Sequence, residues 1–166
     1  MAPCDLPSLC SSVVNMVKAA VIKNHVQLEM RIDPGVPRQV RTDAGLLSRA
    51  LMNLVGNAMK FTDRGLVTLG VRAQPEEDGR VRLRFEIIDT GVGIPEPMLN
   101  KVFEPFRQVR SEYLKPGGRG TGLGLTITNQ IAKSLGGELS AKSRLRSEEH
   151  TSELQSHHDL VCRLLL

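Results

Sequence analysis

The sequence predicts an α+β domain. Apolar residues recur at helical spacing over 8–24 and 44–61, and they alternate with polar ones over 27–33, 66–74 and 81–89. The length of 166 residues is about one domain's worth. Hydrophobic residues make up 40% and charged residues 24%, which excludes a disordered chain, a collagen-like fibre and a coiled coil. No uncharged apolar run approaches the ~18 residues of a membrane span. The start, MAPCDLPSLCSS, has neither the basic end nor the apolar centre of a secretory signal. A net charge of +4 is too small to predict nucleic-acid binding without a clustered patch. Cys4, Cys10 and Cys162 form no C-x-x-C pair and read as reduced, idle thiols. His25 has no second ligand at metal spacing and reads as a surface or packing residue.

Each element follows from a local pattern. In residues 8–24, Val13, Met16, Val17, Ala20 and Val21 make the apolar stripe of a helix. Residues 27–33 alternate Leu28, Met30 and Ile32 with polar neighbours, as a strand does. Pro34-Gly35 signals a turn, and RQVRT a short extended piece. Asp43 is placed to cap the next helix, 44–61. Two strands follow at 66–74 and 81–89, joined by a hairpin connection. Val81, Leu83, Phe85 and Ile87 share one face of the second, with Arg82, Arg84 and Glu86 on the other. Residues 96–103 read as a short helix and 107–119 as a polar, mostly basic loop. A further helix runs to about Leu135, Gly136-Gly137 ends it, and ELSAKS is a short strand.

Chemistry gathers in three places. On helix 44–61, Leu47, Leu51, Leu54 and Ala58 form an apolar face with Phe61 beside them. At about 100° per residue, Arg49, Asn53, Asn57 and Lys60 form the opposite one. Asn is a poor helix former, so short amides stacked above a Lys predict a surface built to hold something polar. Strand 81–89 ends in Asp89, followed by Gly91 and Gly93, a carboxylate and glycines at a strand end. Gly120, Gly122 and Gly124 stand where a loop becomes a helix, and a helix N-terminus offers unpaired N–H groups to phosphate. No G-x-x-x-x-G-K-[ST] is present, and the glycines do not follow a strand. A P-loop and a dinucleotide-binding turn are both excluded.

Taken in order, LMNLVGNAMKFTDRG, DTGVGI, FEPF and GTGLGL resemble the N box, first glycine box, F box and second glycine box of the ATP-binding catalytic domain of sensor histidine kinases, within the gyrase, chaperone, kinase and mismatch-repair ATPase superfamily. The resemblance covers roughly residues 5–145. It implies a two-layer α/β sandwich of the Bergerat type, a mixed sheet with helices on one face. It implies ATP and Mg²⁺ as cofactors. Asp89 would accept a hydrogen bond from the adenine amino group, since a carboxylate only accepts. Gly91 and Gly93 would let the chain turn beneath the ring. Asn57 would coordinate Mg²⁺ through its amide oxygen, and Asn53 and Lys60 would line the phosphates. Gly120, Gly122 and Gly124 would offer N–H groups to the triphosphate. Ile94, Thr121, Leu123 and Leu125 belong to the same boxes. Residues 107–119 would be the lid, with Lys115 and Arg119 offsetting phosphate charge and Phe103 and Phe106 anchoring its base. The hydrolytic branches carry a water-activating Glu four residues before the Mg²⁺ ligand, where this chain has Asn53. An amide is no general base, so the resemblance points to the kinase branch.

The pattern departs from the family twice. None of the four His lies in a His-Glu/Asp-x-x-x-Pro phosphoacceptor context. The histidine that receives phosphate is therefore expected on a helical dimerisation domain outside this chain, and autophosphorylation by this chain alone is not expected. The family's last strand is expected to be missing after Leu145. Arg146 to Ser156, RSEEHTSELQS, resembles the translation of a short-read sequencing adapter. Residues 1–145 are therefore read as the domain and 146–166 as a non-native tail. Without the tail, 20 Lys+Arg face 14 Asp+Glu, a net +6 concentrated partly in the lid. The implied partners are that dimerisation domain and a downstream response-regulator receiver domain, in the cytoplasm, with no nucleic acid and no membrane contact by this segment. Alternatives are an anti-sigma-factor-type serine protein kinase, which uses the same pocket, and a non-catalytic nucleotide-binding signalling module.

Overall fold

The computed structural model describes residues 1–77, 79–94, 96–99, 101–104 and 123–143, and the backbone of 158–165. The elements run β1 (Ala2–Asp5), α1 (Leu6–Ala20), β2 (Val26–Ile32), β3 (Gln39–Thr42), α2 (Ala44–Phe61), β4 (Gly65–Pro75), β5 (Val81–Asp89), α3 (Gly124–Ser134), β6 (Glu138–Ser143) and β7 (His158–Leu165). Among the described residues five strands form one sheet in the order β2-β4-β5-β7-β6. β2 and β4 are parallel and the other neighbours antiparallel, so the sheet is mixed. β1 and β3 pair separately.

Caps define the helix starts. Asp5 Oδ1 accepts from Ser8 N at 3.0 Å at the head of α1, and Asp43 Oδ1 from Leu46 N at 3.0 Å at the head of α2. Each satisfies an amide that has no partner within its helix. Leu47, Leu51, Leu54 and Ala58 of α2 are buried, as their spacing predicts. They pack in one core with Val67, Leu69 and Val71 of β4, Leu83, Phe85 and Ile87 of β5, and Ile131 and Ala132 of α3. The alternation of β4 and β5 thus turns one sheet face to the helices. On the other face Glu86 stays 8% exposed, with Arg72 Nε 3.7 Å from Oε2. Arg84 Nε lies 2.7 Å from Glu86 Oε1, an ion pair without hydrogen-bond geometry.

Three expectations are corrected. The buried face of α1 is Leu6, Cys10, Val13, Val14 and Val17, while Met16 is 43% exposed and Ala20 is exposed. The helix starts earlier than its apolar stripe predicts, because Asp5 caps it and Leu6 anchors its first turn. Residues 96–103 form two short 3₁₀ turns, Glu96–Met98 and Lys101–Phe103, not one helix. They are closed by Leu99 N to Glu96 O and Glu104 N to Lys101 O, bonds one residue shorter than α-helical ones. The last strand is not missing. β7 fills the sheet between β5 and β6, and its register sets Leu160, Cys162 and Leu164 opposite Ile87, Phe85 and Leu83. In the sequence, the neighbouring apolar Val161 and Leu165 blur the alternation.

Candidate functional site

The candidate residues lie at the end of β5, along α2 and at the start of α3. Asp89, the last residue of β5, is 5% exposed. Its Oδ1 accepts from Gly91 N at 2.8 Å, bending the chain back over the carboxylate. A Cβ on Gly91 would stand 2.7 Å from both Asp89 Oδ1 and the Phe61 carbonyl oxygen. Only glycine lets the turn press so closely on the end of α2. Gly93 has φ +84°, the left-handed region that favours glycine.

Neighbouring elements pin this turn. Thr90 N donates to Leu66 O at 3.1 Å, and Leu66 N donates to Thr90 Oγ1 at 3.1 Å. Ile94 N donates to Ser143 Oγ at 2.7 Å, tying the turn to the end of β6. Thr62 is fully buried, and its hydroxyl donates to Ala58 O at 2.8 Å, closing the end of α2.

Asn53 and Asn57 are both half-buried, one helical turn apart. Asn53 Nδ2 donates to Thr128 Oγ1 at 2.7 Å, and Thr128 Oγ1 donates to Gly124 O at 3.0 Å. A Cβ on Gly124 would lie 2.5 Å from Asn53 Oδ1, so α3 begins in contact with the α2 amide. Leu123 caps α3 without a side-chain hydrogen bond, which leaves its first-turn N–H groups without that kind of partner. Lys60 Nζ is 5.5 Å from the Phe61 ring centroid, a cation–π distance. Phe103 packs partly buried against the core, and its carbonyl accepts from Thr126 Oγ1 at 3.0 Å. Leu125 also packs against the core.

The structure therefore brings Asn53, Gly124 and Thr128 together at one side, and Asp89, Gly91 and the end of α2 at the other. Phe106, Lys115, Arg119, Gly120, Thr121 and Gly122 lie outside the described residues, as does the whole stretch 107–119. Thr128, Ser143 and Lys23, which contacts the end of α2, escape sequence reading. A helical Thr, a strand-end Ser and a loop Lys carry no pattern of their own. Among the described residues no cluster of three His, Cys, Asp or Glu could hold a metal. Cys4 and Cys10 are free and buried, and burial pushes the Cys10 thiol up to about 12, consistent with an inert thiol. No helix among the described residues is long and apolar enough to cross a membrane.

The fold that carries this buried strand-end carboxylate, glycine turn and two-amide helix is that of the histidine-kinase type of ATPase domain, as comparison with known proteins shows. The model of the family described as histidine kinase-, DNA gyrase B-, and HSP90-like ATPase matches residues 42–157, and the chain belongs to that family. The chain is 36% identical over 141 residues to the sensor histidine kinase AruS of Pseudomonas aeruginosa, covering 85% of this chain and 14% of that protein. It is 33% identical to the aerobic respiration control sensor protein ArcB of Escherichia coli, covering 85% of this chain and 18% of that one. The chain thus spans less than a fifth of each of these relatives. Among solved structures it resembles full-length ShkA in complex with AMPPNP, with a TM-score of 0.75 and 26% identity over 98% of this chain and 30% of that one. It also resembles the mycobacterial sensor histidine kinase MprB, with a TM-score of 0.74 and 26% identity over 98% of this chain and 97% of that one.

Proposed function

We propose that this domain binds ATP with Mg²⁺ and positions the γ-phosphoryl for transfer to a histidine on a helical dimerisation domain of a longer protein. The observation that carries the reading is Asp89, buried at a strand end and held by its own glycine turn against α2. A carboxylate so placed selects a base bearing an amino group. Asn57, on the polar side of α2, supplies the hard oxygen ligand that Mg²⁺ prefers. Held there, Mg²⁺ would supply charge neutralisation for the phosphates. Asn53 lines the phosphate side without acting as a base for water, and phosphoryl transfer asks mainly for positioning and charge neutralisation. Lys60, Lys115 and Arg119 add positive charge, and Gly120, Gly122 and Gly124 give the backbone close approach to phosphate. Phe103 and Phe106 anchor the base of the lid. A receiver domain of a response regulator then takes the phosphoryl group, in the cytoplasm.

Calorimetric titration with ATP, with and without Mg²⁺, tests this. The chain binds with Mg²⁺, and Asn57→Ala loses the Mg²⁺-dependent part. A folded chain that ignores ATP sinks the proposal. The same reading takes 1–145 as the natural domain and 146–166 as an acquired tail. Sequencing the gene across codon 145 decides that point.

A further inference from the structure

The structure assigns Lys23, in the connection between α1 and β2, the role of a positioning residue for the nucleotide site. The assignment rests on the nucleotide-binding reading above. Lys23 Nζ donates to the Lys60 carbonyl at 2.9 Å and to the Thr62 carbonyl at 2.8 Å. The Asp63 carboxylate stands 3.7 Å away. Carbonyl groups at a helix C-terminus lack intrahelical donors, and a cation there also meets the negative end of the helix dipole. One side chain, 37 and 39 residues from its partners, thus clamps the end of α2. The Lys23 side chain is only 27% exposed, which limits the competition from water.

What that end of α2 carries makes the clamp matter. Lys60 belongs to the polar face, one turn beyond Asn57. The Phe61 carbonyl and the Thr62 hydroxyl are the atoms on which Gly91 rests, at 2.7 Å and 3.1 Å from where a Cβ would be. Gly91 in turn donates to Asp89. Fixing the Lys60–Thr62 peptides therefore holds the phosphate side and the adenine side in register. Lys23 acts here through the backbone carbonyls of Lys60 and Thr62.

The test compares wild type with Lys23→Met, which keeps the stem and loses the charge, and Lys23→Arg, which keeps a cationic donor. Two quantities are read: ATP affinity with Mg²⁺, and amide exchange along the chain. Lys23→Met weakens ATP binding by about tenfold, the scale of a lost charge-assisted hydrogen bond. It also speeds exchange at residues 58–64 and at Gly91 more than elsewhere. Lys23→Arg recovers both. If Lys23→Met does not fold, Lys23→Gln takes its place. Unchanged affinity, exchange that rises uniformly, or an Arg variant as weak as Met overturns the assignment. A wild-type chain that binds no nucleotide defeats the functional reading instead. The exchange pattern then decides the clamp by itself, local acceleration supporting it and its absence overturning it.

Discussion

Asn53 Nδ2 donates a 2.7 Å hydrogen bond to the hydroxyl of Thr128, 75 residues away, and so ties α2 to the first turns of α3. The hydroxyl spends its own proton on Gly124 O. It can therefore only accept from position 53. An amide can give that proton, and an ionised carboxylate cannot. Asn53, proposed above to line the phosphates without acting as a base for water, is also the residue that fastens the glycine-bearing helix start. Thr128→Val leaves the half-buried amide donor without that partner and should lower stability by ~1–3 kcal/mol. Urea unfolding measures it. A double-mutant cycle with Asn53→Ala should return a coupling of about 0.5 kcal/mol or more. Additive effects would show that the bond contributes nothing.

Gly91→Ala tests the contact between the turn and the helix end. The added methyl meets Asp89 Oδ1 and the Phe61 carbonyl at 2.7 Å, and neither is the loose end of a flexible chain. The turn must open, and Asp89 must move with it. We expect a cost of ~1–3 kcal/mol from overpacking, together with loss of measurable ATP binding in a chain that still melts cooperatively. Wild-type affinity in this variant would show that the turn relaxes without disturbing Asp89.

Acid should weaken the fold through Asp5. Hydrogen bonds from Ser8, followed by the Arg38 guanidinium 2.8 Å from Oδ2, lower its carboxyl from an ordinary 3.8 to about 2. Between those values the unfolded chain binds more protons than the folded one. The stabilisation is complete above about pH 4 and is lost as pH falls through 2. Melting temperatures taken from pH 6 down to 2 should fall over that window. Asp5→Asn should be less stable at pH 6 and show a shallower fall. A parallel decline in both proteins would remove Asp5 from the account.

These residues show what a sequence displays and what it hides. The polar face of α2 was legible because Asn53 and Asn57 recur at helical spacing against a Leu face. β5 and its terminal Asp89 were legible because alternation ends in a carboxylate and glycines. β6 coincides with ELSAKS. The apolar face of α1 was misjudged because Met16 shares the stripe's spacing, yet it is 43% exposed among the described residues. Lys23 was invisible for a different reason. Its partners are backbone carbonyls, which every residue has, so no residue type at 60 or 62 announces the contact. Thr128 was hidden likewise, its partner set by the crossing of two helices. Periodicity reports which face an element buries, and contacts made after the elements pack are absent from it.

β7 gives the last prediction. It is bonded to β5 on one edge and to β6 on the other, from Asp89↔His158 to Arg82↔Leu165 and from Ser143↔His158 to Glu138↔Arg163. Without it β6 has no strand partner among the described residues, and Ser143, which accepts from Ile94 N, loses its support. Val161→Pro sits opposite Glu86 and Ser140 and removes a ladder donor inside a central strand, where proline is not accommodated. Truncation after Leu145 removes both ladders. At ~0.5–1.5 kcal/mol net per hydrogen bond, truncation costs several kcal/mol. In a domain of this size that is roughly 10 °C or more in melting temperature. ATP affinity should fall as well, because the Ile94 turn loosens with β6. Exchanging residues 146–166 for a strand of the family's Gly-x-Gly-[Ser/Thr]-x-Phe pattern should raise the melting temperature above that of the present chain. If truncation left melting and affinity unchanged, β7 would be a passenger on the sheet and the pairing would carry no stability.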